Sequence, residues 1–319
     1  MKKQIFIIFI ICLLITLSIQ TIVAKGSEPT PPNQPPSGPG GSDYTHNKVI
    51  KTRYKWGAHQ YWIFEPDDPK PETAPLIVFN HGWTAIFPYF YKAWIYHLVK
   101  KGNIVVYPRY QFGIYFGYKN FYSNALKAVK DAIEELENGD HVRPDLDKFA
   151  IVGHSIGGGI TAYMAAEAID AGLPIPKAIM PVQPAILTTV DLSKITNETL
   201  MLVIVGENDT VVGNYFAKEI FFNSTQVPLS QKDFIIQVTD TYGEPDLIAD
   251  HIAPVCILNS DTVDAMDYFS TWKLFDALTD YAFYGINKEY CFDNTPQQRY
   301  MGLWSDGTPV KELIVTDTP

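Results

Sequence analysis

The sequence is poor in cysteine, in charged residues and above all in basic residues. Its 319 residues include 3 cysteines, and 25 lysines and arginines stand against 35 aspartates and glutamates, which gives a formal net charge of -10. Such an acidic surface repels phosphate backbones, so nucleic acid is not expected as a partner. The few cysteines come with no cluster of other ligands, and we therefore predict neither a metal site nor a cofactor.

Internal repeats and heptads are also lacking, which excludes solenoid and coiled-coil architectures. Hydrophobic residues, by contrast, make up 46% of the chain, enough for a sizeable buried core. Residues 44–319 are accordingly assigned to one large domain. Residues 25–43 are rich in Pro, Gly and Ser without apolar periodicity, and we predict that they form a linker or disordered spacer.

One long apolar run lies at the amino terminus. Lys2 and Lys3 precede an almost unbroken apolar stretch from Ile5 to Ile19, and small residues follow where a signal peptidase can cut. Residues 1–24 are therefore interpreted as a signal peptide. A retained membrane anchor is the alternative, since the run is just long enough to span a bilayer. Either interpretation predicts a domain that is secreted or held at the extracellular face of the membrane.

Two cysteines, Cys256 and Cys291, lie in the predicted domain. Because disulfides persist outside the cytoplasm, we predict that these two cysteines are bridged. The alternative is a pair of buried free thiols.

Strand-like and helix-like segments alternate from residue 44 onward. An opening pair of strands, Lys48–Trp56 and Gln60–Phe64, is expected to lie antiparallel at one edge. The later strands are short, uniformly apolar runs with helices between them, a pattern typical of an α/β fold whose mostly parallel sheet carries helices on both faces. These strands are predicted at Pro75–Phe79, Ile104–Tyr107, Phe149–Val152, Ala178–Val182, Leu200–Val205 and Phe234–Val238, with helices at Phe90–Lys101, Ala125–Leu136 and Ile160–Ala171.

The pentapeptide Gly153-His154-Ser155-Ile156-Gly157 directly follows one of these strands. A G-x-S-x-G motif between a strand and a helix holds its serine on a sharp, strained turn, and the two glycines let strand and helix approach each other. The alternative is a glycine-rich turn that binds nothing or binds a phosphate. The context favours a nucleophilic Ser155.

A serine hydroxyl becomes a nucleophile when a histidine takes its proton and a carboxylate orients that histidine. Downstream of Ser155 the sequence has a single histidine, His251, whereas His154 must point away from the serine on such a turn. The predicted acid is Asp209, in the turn after a buried strand, where it is also suited to cap the next helix. Asp240, after the following strand, is the alternative acid.

The negative oxygen of an acyl-transfer intermediate needs fixed hydrogen-bond donors. The backbone N–H of Ile156, next to the serine, is the first predicted donor. The second is the N–H of Trp83 in the loop Asn80-His81-Gly82-Trp83, where Gly82 supplies backbone freedom. His81 is interpreted as a brace for that loop.

These motifs together resemble the α/β-hydrolase superfamily over nearly the whole domain. Within the superfamily the chain is similar to the compact, lidless esterases, namely the cutinase and polyester-hydrolase group and the dienelactone-hydrolase-like group. Only Gln183–Glu198 lies where many members insert a lid, so no large cap domain is expected. The matching segments are Phe79–Gly82, Gly153–Gly157, Gly206–Val212 and Asp250–Pro254.

Two loops expected at the mouth of the site are crowded with aromatic residues. They indicate an apolar trough for an acyl or aryl group, although core packing accounts for some of them. Arg109 follows a strand end, where it either receives a carboxylate or is a solvated or ion-paired surface residue. The aromatic residues are Trp83, Phe87, Tyr89, Phe90, Tyr91, Tyr110, Phe112, Tyr115, Phe116 and Tyr118.

The residues and the resemblance predict an exported serine hydrolase of the esterase and lipase type. It would cleave a small-molecule or polymeric carboxylic ester through an acyl-enzyme on Ser155. An amidase or peptidase using the same triad is the first alternative. A non-catalytic binding module on a hydrolase scaffold is the second, and the complete set of Ser, Asp and His argues against it.

Overall fold

A nine-stranded sheet is the centre of the computed structural model, which describes residues 28–113, 118–186, 190–256 and 263–319. The strand order is β1-β2-β4-β3-β5-β6-β7-β8-β9, and β3 to β8 are mutually parallel. An antiparallel pair forms one edge and an antiparallel β9 the other. The predicted α/β class is confirmed. The strands are β1 Lys48–Tyr54, β2 Tyr61–Asp67, β3 Thr73–Asn80, β4 Ile104–Pro108, β5 Arg143–His154, β6 Ala178–Val182, β7 Leu200–Gly206, β8 Lys232–Gln237 and β9 Ile314–Thr316.

Helices cover both faces of this sheet. Alternate residues of a parallel strand point to opposite faces, so Ile77 and Phe79 of β3 enter one buried apolar cluster and Leu76 and Val78 the other. The first cluster is closed by α1 and α6, and the second by α2, α3 and α5. The helices are α1 Lys92–Lys100, α2 Phe121–Asn138, α3 Ile156–Ala166, α4 Ala168–Ala171, α5 Tyr215–Asn223, α6 Lys273–Tyr284 and α7 Pro296–Arg299, with a π-helical turn at Asp267–Trp272.

Several element boundaries differ from the expected ones. β5 begins at Arg143, six residues earlier than Phe149, because its polar first half pairs with β3 before a bulge. α3 begins at Ile156, directly after the serine, since Gly157 to Gly159 are tolerated inside a buried first turn. β9 was not expected, since it is only three residues long and lies at the sheet edge.

Residues 28–43 do not form the predicted spacer. Thr30 and Ser305 hydrogen-bond to each other through the Thr30 backbone, and the Gly40 N–H donates to the buried carboxylate of Asp276 at 2.8 Å. Prolines need no backbone donor and present apolar rings, so a proline-rich stretch can pack along a domain without any periodic pattern. The remaining spacer residues 25–27 and the predicted signal segment 1–24 lie outside the described residues. In the part of the chain that is described, no helix is long and apolar enough to cross a membrane.

The predicted disulfide is absent, because the two thiols occupy different places. Cys256 is half-buried beside the start of α1, where its sulfur accepts the Ala93 N–H at 3.4 Å. Cys291 is buried before α7, with its sulfur 3.4 Å from the carbonyl oxygen of Lys288. Both are free cysteines, and burial raises the pKa of each thiol.

Candidate active site

Three side chains that the sequence singles out meet at the carboxyl edge of the sheet. Ser155 follows β5, Asp209 follows β7 and His251 lies in the loop after β8. Parallel strands present their carboxyl ends at one edge, so loops distant in sequence come together there. The segment between β6 and β7 contains, among its described residues, only the short 3-10 turn Leu192–Lys194, so the described part of this segment forms no cap domain.

A hydrogen-bonded chain links the three side chains. His251 Nε2 lies 3.0 Å from Ser155 Oγ, and His251 Nδ1 lies 2.8 Å from Asp209 Oδ2. The carboxylate can only accept, so Nδ1 carries the ring proton and Nε2 offers a lone pair to the serine hydroxyl. The arrangement therefore has the form of a nucleophile, a general base and an orienting acid.

The backbone at Ser155 is strained, as the elbow motif requires. Its φ is 57° and its ψ is -125°, a region that residues other than glycine rarely adopt. A side chain at Gly153 would lie 2.3 Å from the Gly157 carbonyl oxygen, and one at Gly157 would lie 2.2 Å from that of Asn80. Both positions thus admit only glycine, which lets β5, α3 and the loop after β3 touch around the serine.

Asp209 is oriented by its own turn. Its Oδ1 accepts the N–H groups of Val211 and Val212 at 2.9 and 3.1 Å, which leaves Oδ2 for His251. The capping role was expected, but the next helix begins later, at Tyr215. The alternative acid, Asp240, is instead engaged by the Trp304 indole N–H at 3.0 Å.

The two expected oxyanion donors lie on either side of the serine. Ile156 begins α3, and an N–H in the first turn of a helix has no partner within that helix. Across from it, a side-chain carbon at Gly82 would lie 3.4 Å from the Ser155 Cβ, so the peptide between Gly82 and Trp83 runs beside the nucleophile. The Gly82 N–H donates to the Tyr91 hydroxyl, and the expected donor of this loop is the N–H of the next residue, Trp83.

His154 points away from the serine, into a buried network that the sequence did not reveal. The Gly82 N–H donates to the Tyr91 hydroxyl at 3.0 Å, and this hydroxyl lies 2.8 Å from His154 Nδ1. His154 Nε2 lies 3.2 Å from Gln183 Oε1, while Gln183 Nε2 donates to the Asp250 carbonyl at 2.6 Å. The network joins the candidate oxyanion loop to the residue before His251.

The protonation of this network follows from its partners. Gln183 uses its NH₂ on a carbonyl and therefore turns its oxygen to His154, so His154 carries its proton on Nε2 and accepts from Tyr91. Burial, and next the nearby His251, lower the pKa of His154 to about 3. His154 is thus a neutral residue that bridges Tyr91 and Gln183 by hydrogen bonds. A polar Gln183 directly after a wholly apolar strand was the signal that could have identified the network.

His81 braces the oxyanion loop, as expected. Its ring stacks on Tyr110 with 4.0 Å between centres, and its Nε2 lies 2.7 Å from the Arg109 carbonyl oxygen. Full burial lowers the pKa of His81 to about 4. The second ring nitrogen, Nδ1, lies 2.6 Å from the Gly82 carbonyl oxygen, so the stacked ring contacts both ends of the loop and holds it in place.

The aromatic residues divide between core and surface. Tyr91 and Tyr110 are buried, whereas Trp83, Phe87, Tyr89 and Phe112 are between 41% and 58% exposed. The exposed group borders the carboxyl edge and is available to apolar ligands. Tyr115, Phe116 and the Tyr118 side chain lie outside the described residues. Among the residues that are described, no group of His, Cys, Asp and Glu is arranged to hold a metal ion.

Comparison with known proteins agrees with this geometry. Residues 43–199, a little under half of the chain, match the family model Chlorophyllase. The match includes Ser155 and both candidate oxyanion donors, and it ends before Asp209 and His251. No curated protein matched the chain. Family match and sheet topology together place the chain among the α/β hydrolases, as a serine ester hydrolase.

Proposed function

We propose that the chain hydrolyses carboxylic esters through an acyl-enzyme on Ser155, with His251 as general base and Asp209 as the acid that orients it. The hydrogen-bonded chain from Ser155 Oγ through His251 to Asp209 carries this proposal. The family match supports ester chemistry, and it covers the serine elbow.

The steps follow from the positions of the donors. His251 Nε2 takes the proton of the Ser155 hydroxyl as the oxygen attacks the ester carbon. The resulting oxyanion accepts the N–H groups of Ile156 and Trp83. His251 then returns the proton to the leaving alkoxide, and the acyl group remains on Ser155. Water, activated by the same Nε2, releases the acid and restores the serine.

The exposed aromatic residues support an ester with apolar parts. Trp83 belongs to the oxyanion loop, and Phe87 and Phe112 are exposed beside Arg109 at the same edge of the sheet. We propose a small-molecule or polymeric ester as substrate. Because the matching family is called Chlorophyllase, chlorophyll belongs in any panel of test esters.

A panel of 4-nitrophenyl esters of increasing acyl length, with chlorophyll and a matched 4-nitroanilide, tests the proposal. Ser155→Ala is expected to lower kcat by on the order of 10^4- to 10^6-fold on every ester cleaved. Hydrolysis of the anilide at a comparable rate would favour the amidase alternative. If the substituted protein cleaves all esters as fast as the parent, Ser155 is not the nucleophile.

We also propose that the chain is exported. The support is the basic start and apolar run of residues 1–24. Sequencing the amino terminus of protein secreted by its host is expected to find a start near residue 25. A start at Met1 on protein recovered from the membrane would favour the anchor, and recovery from the cytoplasm would overturn export.

A further inference from the structure

Arg109 has no counter-charge among the described residues of this acidic protein. It directly follows β4 at the same sheet edge as Ser155. Its guanidinium lies 5.6 Å from the ring centre of Phe87 and 5.8 Å from that of Phe112, both partly exposed. Burial lowers the pKa of Arg109, and no carboxylate among the described residues offsets that shift. The ion-paired alternative from the sequence is therefore not what the structure contains.

Two buried donors at this place lack a hydrogen-bond partner in the described part of the chain. They are Arg109 Nε and the side-chain nitrogen of Gln60, a residue that is only 5% exposed. Arg109 Nη1 donates to Gln60 Oε1 at 3.5 Å, so both unpaired donors belong to one pair of touching side chains. Native proteins rarely leave buried donors unpaired, so the two nitrogens favour an acceptor at this position. Both are closed off from solvent, and an acceptor reaches them only when one of the two side chains turns outward.

The pair is anchored to the candidate active site. The Arg109 N–H donates to the Gln60 carbonyl at 2.8 Å, and the Arg109 carbonyl oxygen lies 2.7 Å from His81 Nε2. His81 in turn precedes Gly82, beside the serine. Since β3 lies between β4 and β5, and neighbouring strands are about 4.8 Å apart, Arg109 begins roughly 10 Å to the side of Ser155.

We propose that Arg109 and Gln60 bind a carboxylate of the ester substrate, at roughly 10 Å from the bond that Ser155 cleaves. The guanidinium offers N–H groups in a fixed plane that matches a carboxylate, and the Gln60 amide adds a neutral donor. Phe87 and Phe112 hold the guanidinium between their rings on the side of β2, so an extended chain from Ser155 reaches it across β3 and β4. The substrate class is an ester with a free acid at its far end, such as a monoester of a dicarboxylic acid. This inference rests on the proposed function.

Matched pairs of acidic and neutral esters test the subsite. The acyl arm uses mono-4-nitrophenyl adipate and suberate against their methyl 4-nitrophenyl diesters. The alcohol arm uses the butyrate ester of 6-hydroxyhexanoic acid against that of its methyl ester. In one arm the acid is expected to exceed its neutral partner about tenfold in kcat/KM, mainly through a lower KM, because the contact is made equally in ground and transition states.

The ratio of kcat/KM for the acidic ester to kcat/KM for its neutral partner, measured in variants, identifies the residues that bind the carboxylate. It is expected to fall to about one in Arg109→Gln, to weaken in Gln60→Met and to persist in Arg143→Gln, an exposed arginine at the opposite end of β5. If thermal melting shows that Arg109→Gln is unfolded, Arg109→Lys is used instead, and the ratio is expected to fall without reaching one, because lysine keeps the charge and loses the planar set of donors. No preference in either arm of the parent protein, or equal loss in Arg143→Gln, overturns the subsite.

Failure of the proposed function gives a different result. If the parent protein leaves every ester intact, the neutral ones included, ester hydrolysis is rejected. Titration calorimetry with adipate then decides the subsite alone. Binding that is lost in Arg109→Gln and kept in Arg143→Gln supports it, and absence of binding to the parent protein overturns it.

Discussion

The loop that carries His251 and the turn that carries His154 place two imidazoles side by side, with 4.8 Å between ring centres. His251 faces the Asp209 carboxylate on one side and the Ser155 hydroxyl on the other. His154 hydrogen-bonds instead to the neutral Tyr91 hydroxyl and Gln183 amide. A buried imidazolium needs a negative partner, so the first region can hold a proton in transit and the second cannot.

The difference shows that the hydrogen-bond partners of a histidine determine its role, and that its distance from the serine in the sequence does not. His154 is covalently next to Ser155, yet the turn directs its ring into the core. Its neutrality also serves the neighbouring ring, because a second cation beside His251 would oppose the positive charge that forms there during attack. The two regions are therefore complementary, and changes to each should have different consequences.

Replacing His251 and His154 in separate variants should give the largest difference in kcat/KM. His251→Ala is expected to lower kcat/KM for 4-nitrophenyl butyrate by on the order of 10^4- to 10^6-fold, since no base then takes the serine proton. His154→Gln keeps a polar side chain in the network and is expected to cost about tenfold or less. An equal loss of kcat/KM in both variants would show that the two histidines do not have different roles in the reaction.

Asp209→Asn is expected to lower kcat by on the order of 10^4-fold, because an amide no longer enforces the Nδ1–H tautomer of His251. The matched control is Asp240→Asn, which alters another buried aspartate after a strand without touching His251. Steady-state kinetics on the same ester compare them. A loss in the control as large as in Asp209→Asn would return Asp240 to consideration as the acid.

The buried His154 should make the free energy of unfolding depend on pH in the acid range, with a contribution of about 2 kcal/mol. Folded His154 has a pKa of about 3, against 6.5 for an unperturbed histidine, so between these values the unfolded chain binds more protons. His154 therefore lowers the free energy of unfolding as pH falls through this window, by about 2 kcal/mol between pH 7 and pH 5. Buried His81, with a pKa of about 4, acts in the same direction.

Urea unfolding at pH 7 and pH 5 measures this loss. His154→Gln is expected to lose less stability between the two pH values than the parent, by about the 2 kcal/mol assigned to His154. The control is His59→Gln, which alters an exposed histidine and should leave the pH difference unchanged. An identical pH difference in parent and His154→Gln would contradict a neutral, buried His154.

Local patterns in the sequence were sufficient to predict the sheet and to find the side chains that meet at its edge. The spacing of the glycines identified the turn of Ser155, and the end of a predicted strand identified Asp209. His251 was identified because it is the one histidine downstream of Ser155. Each of these signals lies within a few residues of the side chain concerned. The apolar strands likewise needed no knowledge of their neighbours.

Contacts between distant segments could not be predicted in this way. Residues 28–43 have no periodicity, yet they pack on the domain. The positions of two cysteines in the sequence likewise did not reveal how far apart the thiols lie. Gln60 and Gln183 each lie beside a strand end, but only the fold shows that one touches Arg109 and the other the loop of His251. Pairing across the sheet is a property of the whole chain and is not encoded in a local motif.

Tyr91→Phe is the subtlest way to test the comparison, because it removes one oxygen from the neutral network and leaves the triad intact. The Gly82 N–H and His154 Nδ1 both lose their partner, so the loop with the Trp83 N–H is no longer held against the serine. We expect kcat to fall about tenfold with little change in KM, since an oxyanion donor acts on the transition state. Tyr61→Phe removes the hydroxyl of another buried tyrosine, which is bound to the Asp131 carbonyl oxygen far from the loop, and should leave kcat unchanged. A boronic acid inhibitor that mimics the tetrahedral state should weaken by the same factor as kcat in Tyr91→Phe. If its affinity and kcat both stay within twofold of the parent, the network does not position the oxyanion loop.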